Sequence, residues 1–167
     1  MDKACKKLID NGMILRYIVT VITFYFLSLN VSTLKNYIYL ILPIVLTLLD
    51  GLDNIFTGFD KDNNCVKSFY YQSNDKICDS ISYLLLYAFF KLDFILLFFI
   101  LYRVIGVILF YYTKNSSWLI LFFDFAKEYL LYFFIFGNNF VYLPFFILCK
   151  IGFEYYHHTI NNKNDYI

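Results

Sequence analysis

Two pairs of aspartates carry the most concentrated chemical potential in this chain: Asp50 with Asp53, and Asp75 with Asp79. Three and four residues apart, both members of each pair face the same side of a helix. The stretch that holds them, residues 48–83, contains six of the eleven aspartates in a chain of which only 16% is charged. Apolar runs at 37–49 and 81–90 adjoin the pairs, so the carboxylates stand at the edge of whatever buries those runs. At the edge of a bilayer, ionised carboxylates are costly unless paired or bound to a cation. Four converging on one site repel one another, and a divalent ion is the simplest group that holds them together. The bland alternative is a solvated loop between helix caps. It suits Asp75, which the dipole of a helix N-terminus favours, better than Asp79 a full turn further in. Asp50 and Asp53 follow thirteen uncharged residues and are expected inside the second helix.

A second set of charges lies within apolar segments: Arg103, Asp124, Lys127 and Glu128. An ionisable side chain facing lipid costs about 2.5–3.5 kcal/mol at a helix centre, so these should face a bundle interior or a wet cleft. Asp124, Lys127 and Glu128 have helical spacing for a structural ion-pair network. The functional reading is that Arg103 or Lys127 meets a phosphate in a cleft beside the aspartates. Asp60, Asp62 and Asn64 alternate like the opening of an EF-hand loop, but Cys65 and Tyr71 stand where the glycine and closing glutamate belong, which excludes that motif. His157 and His158 lie in a polar tail and read as solvated. Cys5, Cys65, Cys78 and Cys149 form no C-x-x-C arrangement, which argues against a zinc site or a disulfide framework.

Six segments are apolar enough to position these residues across a bilayer, each near the ~20 residues a span requires. They are 13–29, 36–57 with a bend at Pro43, 75–90, 92–112, 117–136 and 140–156. Residues 58–74 form the substantial polar loop, and 113–116 and 137–139 are clear turns. The expected fold is all-α: a polytopic membrane bundle of about six transmembrane helices, one domain over 1–167, without internal repeats or a linker.

Composition agrees with the bilayer as solvent. The chain is 60% hydrophobic and 23% aromatic, with mean hydropathy +0.60, far from the balance of a soluble domain. A net charge of +1 gives no bulk field toward nucleic acid. Arg16 interrupts the first apolar run and no A-x-A site follows it, so that run reads as a membrane helix and not a cleaved leader. With a cytoplasmic N-terminus, only Lys35 and Lys91 fall on the far side of six spans. The positive-inside rule therefore places both termini and the Asp50–Asp79 loop in the cytoplasm.

The acidic pattern resembles that of the CDP-alcohol phosphatidyltransferases, six-helix membrane enzymes with Asp-x-x-Asp-Gly-x-x-Ala-Arg on the second helix and Gly-x-x-x-Asp-x-x-x-Asp leading into the third. Here the chain has Asp50-Gly-Leu-Asp53-Asn54 with Thr57-Gly58 following, then Tyr71-Gln-Ser-Asn-Asp75-Lys-Ile-Cys-Asp79. All four aspartates match in type and local spacing. Asn54, Thr57, Gly58 and Tyr71 depart from the family's small and basic residues, and Asp50 to Asp75 is 25 positions, four more than the family pattern. The resemblance implies that Asp50, Asp53, Asp75 and Asp79 bind Mg²⁺ or Mn²⁺, which grips the pyrophosphate of a CDP-linked lipid donor. It further implies that Asp79 is the general base for an acceptor alcohol; charge placement alone adds Arg103 or Lys127 for an acceptor phosphate. The partners expected are the bilayer, that donor and that alcohol, no nucleic acid, and a second copy of the chain as a candidate homodimer. The alternative readings are a non-catalytic structural or assembly membrane protein, and a permease lined by the charges of the fourth and fifth helices.

Overall fold

The computed structural model describes residues 3–34, 37–52 and 68–156. Among them every regular element is helical, as the composition leads one to expect. Asp53, Asn54, Thr57, Gly58, the EF-hand-like stretch and the two histidines lie outside the described residues. The chain forms two compact units, Met1–Leu92 and Asp93–Ile167.

The first unit contains α1 (Lys3–Leu29), α2 (Val31–Leu34), α3 (Ile38–Asp50) and α4 (Phe69–Phe90). Along α1 the buried residues Ile9, Met13, Arg16, Thr20 and Phe24 recur every three or four positions, which makes one continuous face. That face packs on the stripe Tyr71, Cys78, Asp79, Ser82 and Leu86 of α4. Contacts advance in step along both helices. Tyr70 donates to Asp10 at 2.6 Å, Cys78 meets Met13 at 3.3 Å, and Phe24 packs edge-on against Phe89 and Phe90 at 6.5 and 5.9 Å. The two helices therefore run parallel, and α3 is the return stroke that makes this possible.

The second unit contains α5 (Phe94–Thr113), α6 (Ser117–Leu121), α7 (Ala126–Phe136), a 3-10 turn (Phe140–Tyr142) and α8 (Leu143–Tyr155). Asp93 caps α5, accepting from the Leu96 amide at 3.0 Å and from the Tyr129 hydroxyl at 2.9 Å. Phe99 lies against Phe125 and Tyr129 with ring centroids 4.9 and 5.5 Å apart.

Several boundaries depart from the expectations drawn from sequence. Both α1 and α4 start earlier than expected, at Lys3 and Phe69, because their polar first turns pack against each other; the Ser68 hydroxyl starts α4 by accepting from the Tyr71 amide at 3.2 Å. The fifth expected span is two helices. Residues 122–125 break it, and the carbonyls freed there are held from α5: Arg103 donates to Leu119 at 3.3 Å and Phe122 at 2.9 Å, and Tyr102 to Leu121 at 2.5 Å. Asp124 is thus in the break and not inside a helix, where its side chain accepts from the Ala126 amide at 3.3 Å. Cys5 is disulfide-bonded, although the cysteine spacing argued against a disulfide framework, and Cys78 and Cys149 are free.

Among the described residues two helices, α1 and α5, are long and apolar enough to cross a membrane; α3 is apolar but has 13 residues, about 20 Å of helix. Large apolar side chains are nonetheless presented outward on the described helices. In α8 no residue is buried, and Phe145, Leu148 and Phe153 are each more than 60% exposed.

The break after α6 depends on the space left by Gly106. A Cβ built there would stand 2.2 Å from the Cβ of Phe122 and 3.3 Å from its carbonyl oxygen. Gly106→Ala should therefore destabilise the second unit by about 1–3 kcal/mol, the usual range for overpacking, read as a lower unfolding midpoint in detergent. An unchanged midpoint would mean that the break can shift without cost.

Candidate functional site

Three of the four aspartates come together in the first unit, and a cation stands among them. Asp75 and Asp79 occupy the second and third turns of α4 because Ser68 caps that helix six residues before the expected start. Asp50 is the last residue of α3, so the return stroke delivers its carboxylate to the same level. One oxygen from each of the three lies within 4.8 Å of the others.

Arg16 of α1 fills the centre. Its Nη1 donates to Asp75 Oδ1 at 2.9 Å, and its Nη2 to Asp50 Oδ1 at 2.8 Å and to Asp79 Oδ1. Lys76 adds a second cation, 2.7 Å from Asp75 Oδ2 and 3.9 Å from Asp79 Oδ2. Three carboxylates against two cations leave one negative charge in excess among these residues. Enclosure is graded: the Arg16 side chain is 2% exposed, Asp79 7%, Asp75 15% and Asp50 36%, so the cluster opens on the Asp50 side.

This arrangement can act in two ways. A guanidinium fork shared by three carboxylates ties three helices together through charge-assisted hydrogen bonds. The same oxygens also make a donor set for a hard divalent cation, but only if Arg16 gives up some of its partners. Sequence reasoning missed this role for Arg16, which was counted only as a positive charge at the helix entrance. The available signal was its position: a cation three residues into an apolar run must find a buried counter-charge, and the two aspartate pairs are the nearest concentration of acid.

The other expected site residues have separate surroundings. Arg103, 4% exposed, holds the two carbonyls at the break. Lys127 is half-buried in the first turn of α7. Glu128 pairs with Lys150 of α8, Oε1 to Nζ 2.5 Å, a partner twenty-two residues away that helical spacing does not suggest. Tyr71, which replaces a glycine of the family pattern, packs with Ile9, Met13 and Cys78 between α1 and α4.

Removing the central charge should expose the repulsion it masks. Arg16→Leu is expected to cost about 3–5 kcal/mol of stability, the range for breaking one side of a buried ion pair. Asp79→Asn in that background should recover part of the loss, as measured by a double-mutant cycle of detergent unfolding. A midpoint unaffected by Arg16→Leu would show that the carboxylates do not depend on it. Comparison of the chain with protein-family models, with curated proteins and with solved structures finds no match to any of them.

Proposed function

We propose that the chain is a six-span integral membrane protein and a divergent CDP-alcohol phosphatidyltransferase, transferring a phospho-alcohol group from a CDP-linked lipid donor to an alcohol in phospholipid synthesis. The observation that carries this reading is the meeting of Asp50, Asp75 and Asp79 at one point, in the order and local spacing of the family's motif. The outward apolar faces of α1, α5 and α8 support a hydrocarbon environment. The donor set suits Mg²⁺ or Mn²⁺, which favour oxygen ligands. Asp50, Asp75 and Asp79 would hold the ion, with Asp53 as the fourth residue of the pattern. Bound there, the ion supplies charge neutralisation at the donor's pyrophosphate.

The remaining chemistry belongs to the chain. Asp79, the most enclosed of the three carboxylates, takes the proton of the attacking alcohol as general base. Arg16 supplies the counter-charge that keeps the carboxylates together when no cation is bound, and releases some of them when one enters. Arg103 already donates to the carbonyls of Leu119 and Phe122, which accounts for its burial without a phosphate. Because α1 and α4 run parallel, the N-terminal end of α1 and the start of α4 share one side. Lysine and arginine counts assign that side to the cytoplasm.

A second reading is favoured by Arg16 itself. With all three carboxylates already bonded to it, the cluster also suits a non-catalytic membrane protein whose charges only fix helix packing.

Binding of CDP or CDP-diacylglycerol to the purified protein in detergent, with and without Mn²⁺, separates the two. The enzyme reading expects Mn²⁺-dependent binding that an Asp50→Asn/Asp75→Asn variant loses, together with release of CMP once an acceptor alcohol is supplied. Absence of nucleotide binding by folded wild type would leave the structural reading.

A further inference from the structure

The outward face of α1 changes character along its length. Ile14, Ile18, Val21, Tyr25 and Leu29 are exposed and recur every three or four residues, one apolar stripe about 22 Å long. Lys7 and Lys3 are exposed too; both fall within about 20° of Ile14 around the helix axis, about 10 and 17 Å before it. One face is therefore cationic in its first two turns and apolar after them. Lys6 is exposed beside that face, its Nζ 5.5 Å from the centre of the Tyr70 ring of α4.

Among the described residues no carboxylate pairs with any of these three lysines, and α1 has no acid in its first turn. Asp10 accepts from the Tyr70 hydroxyl at 2.6 Å instead. Lys76 and Lys150, by contrast, each meet a carboxylate. The three unneutralised cations stand at the end of a helix whose backbone dipole is itself positive, and Lys3 and Lys7, four residues apart, repel each other. An anion would relieve both.

The continuity of the face selects the kind of anion. A soluble anion would satisfy the lysines and leave the apolar stripe uncovered. A phospholipid covers both, with its chains along the stripe and its phosphate at the level that lysine stems reach. Three cations also repel the ammonium of a zwitterionic headgroup, which favours a headgroup of net negative charge.

We infer that the first two turns of α1 bind the headgroup of an anionic phospholipid, with Lys3, Lys6 and Lys7 supplying the charge and the stripe from Ile14 to Leu29 meeting its chains. This rests on the reading of α1 as a membrane helix and is independent of chemistry at the aspartate cluster.

Native mass spectrometry of the full chain in detergent, given equal amounts of phosphatidylglycerol and phosphatidylcholine with the same chains, tests it. A lysine at an anionic lipid surface is worth about fivefold in affinity, so phosphatidylglycerol should be retained in preference by about tenfold or more. Lys3→Gln/Lys6→Gln/Lys7→Gln should bring the ratio close to one. Lys91→Gln/Lys114→Gln, which removes two exposed cations elsewhere, should leave it unchanged, and excess glycerol 3-phosphate should not displace the lipid. Equal retention of the two lipids overturns the inference while leaving the membrane reading; retention of neither overturns both. An equal fall in the Lys91/Lys114 variant would show only general attraction to positive charge, and displacement by glycerol 3-phosphate a site for soluble anions; either overturns the proposal. Should the triple variant fail to fold because Lys6 leaves Tyr70, Lys3→Gln/Lys7→Gln carries the same test, with a fall of about fivefold or more expected.

Discussion

A single guanidinium sets the terms for the first unit. Arg16 is almost wholly enclosed, and each of the carboxylates it holds comes from a different turn or helix. In a low-dielectric surround neither sign of charge could be buried alone. The register of α1 on α4, and the depth at which α3 must end, follow from that requirement. Apolar contacts such as Phe24 with Phe89 and Phe90 continue the interface but would tolerate sliding; the ion cluster would not. Specificity of packing thus comes from polar groups, while the hydrocarbon side chains supply bulk.

The same division runs through the second unit. Arg103 is buried and spends its donors on the carbonyls of a broken helix, an irregular segment of backbone that in apolar surroundings needs its polar groups satisfied from within the protein. Glu128 and Lys150 join α7 to α8. Most buried side chains are apolar, and large phenylalanine, leucine and isoleucine side chains are presented outward as well. The polar groups become the scarce, position-setting element, and a functional site and a structural clamp are then hard to distinguish by charge alone. The aspartate cluster is such a case, since the oxygens that could hold a cation are those that hold Arg16.

How far the fold was legible varied with the range of the determining interaction. Helix ends at Leu29, Phe90 and Phe136 coincide with those expected, because Asn30, Lys91 and Gly137 break the local pattern. The starts of α1 and α4 were not legible: their polar turns lack apolar periodicity, and their helicity depends on packing such as Asp10 with Tyr70. The break at 122–125 was hidden because the groups that stabilise it, Tyr102 and Arg103, lie nearly twenty residues upstream. For the site, local spacing correctly marked Asp50, Asp75 and Asp79 as neighbours in space. It gave no hint that Arg16 would be the group between them, since pairing across helices leaves no periodic trace in sequence.

The parallel register of α1 and α4 has a further consequence for how the chain is made. Arg16 is synthesised first, and its partners follow at separations of 34, 59 and 63 residues. Throughout that interval the nascent first helix carries a cation whose final counter-charges do not yet exist, and Asp50 is the earliest of these that can reach it. The first helix therefore reaches its final surroundings only after α4 has been made, with Asp50 the first of its three partners to arrive.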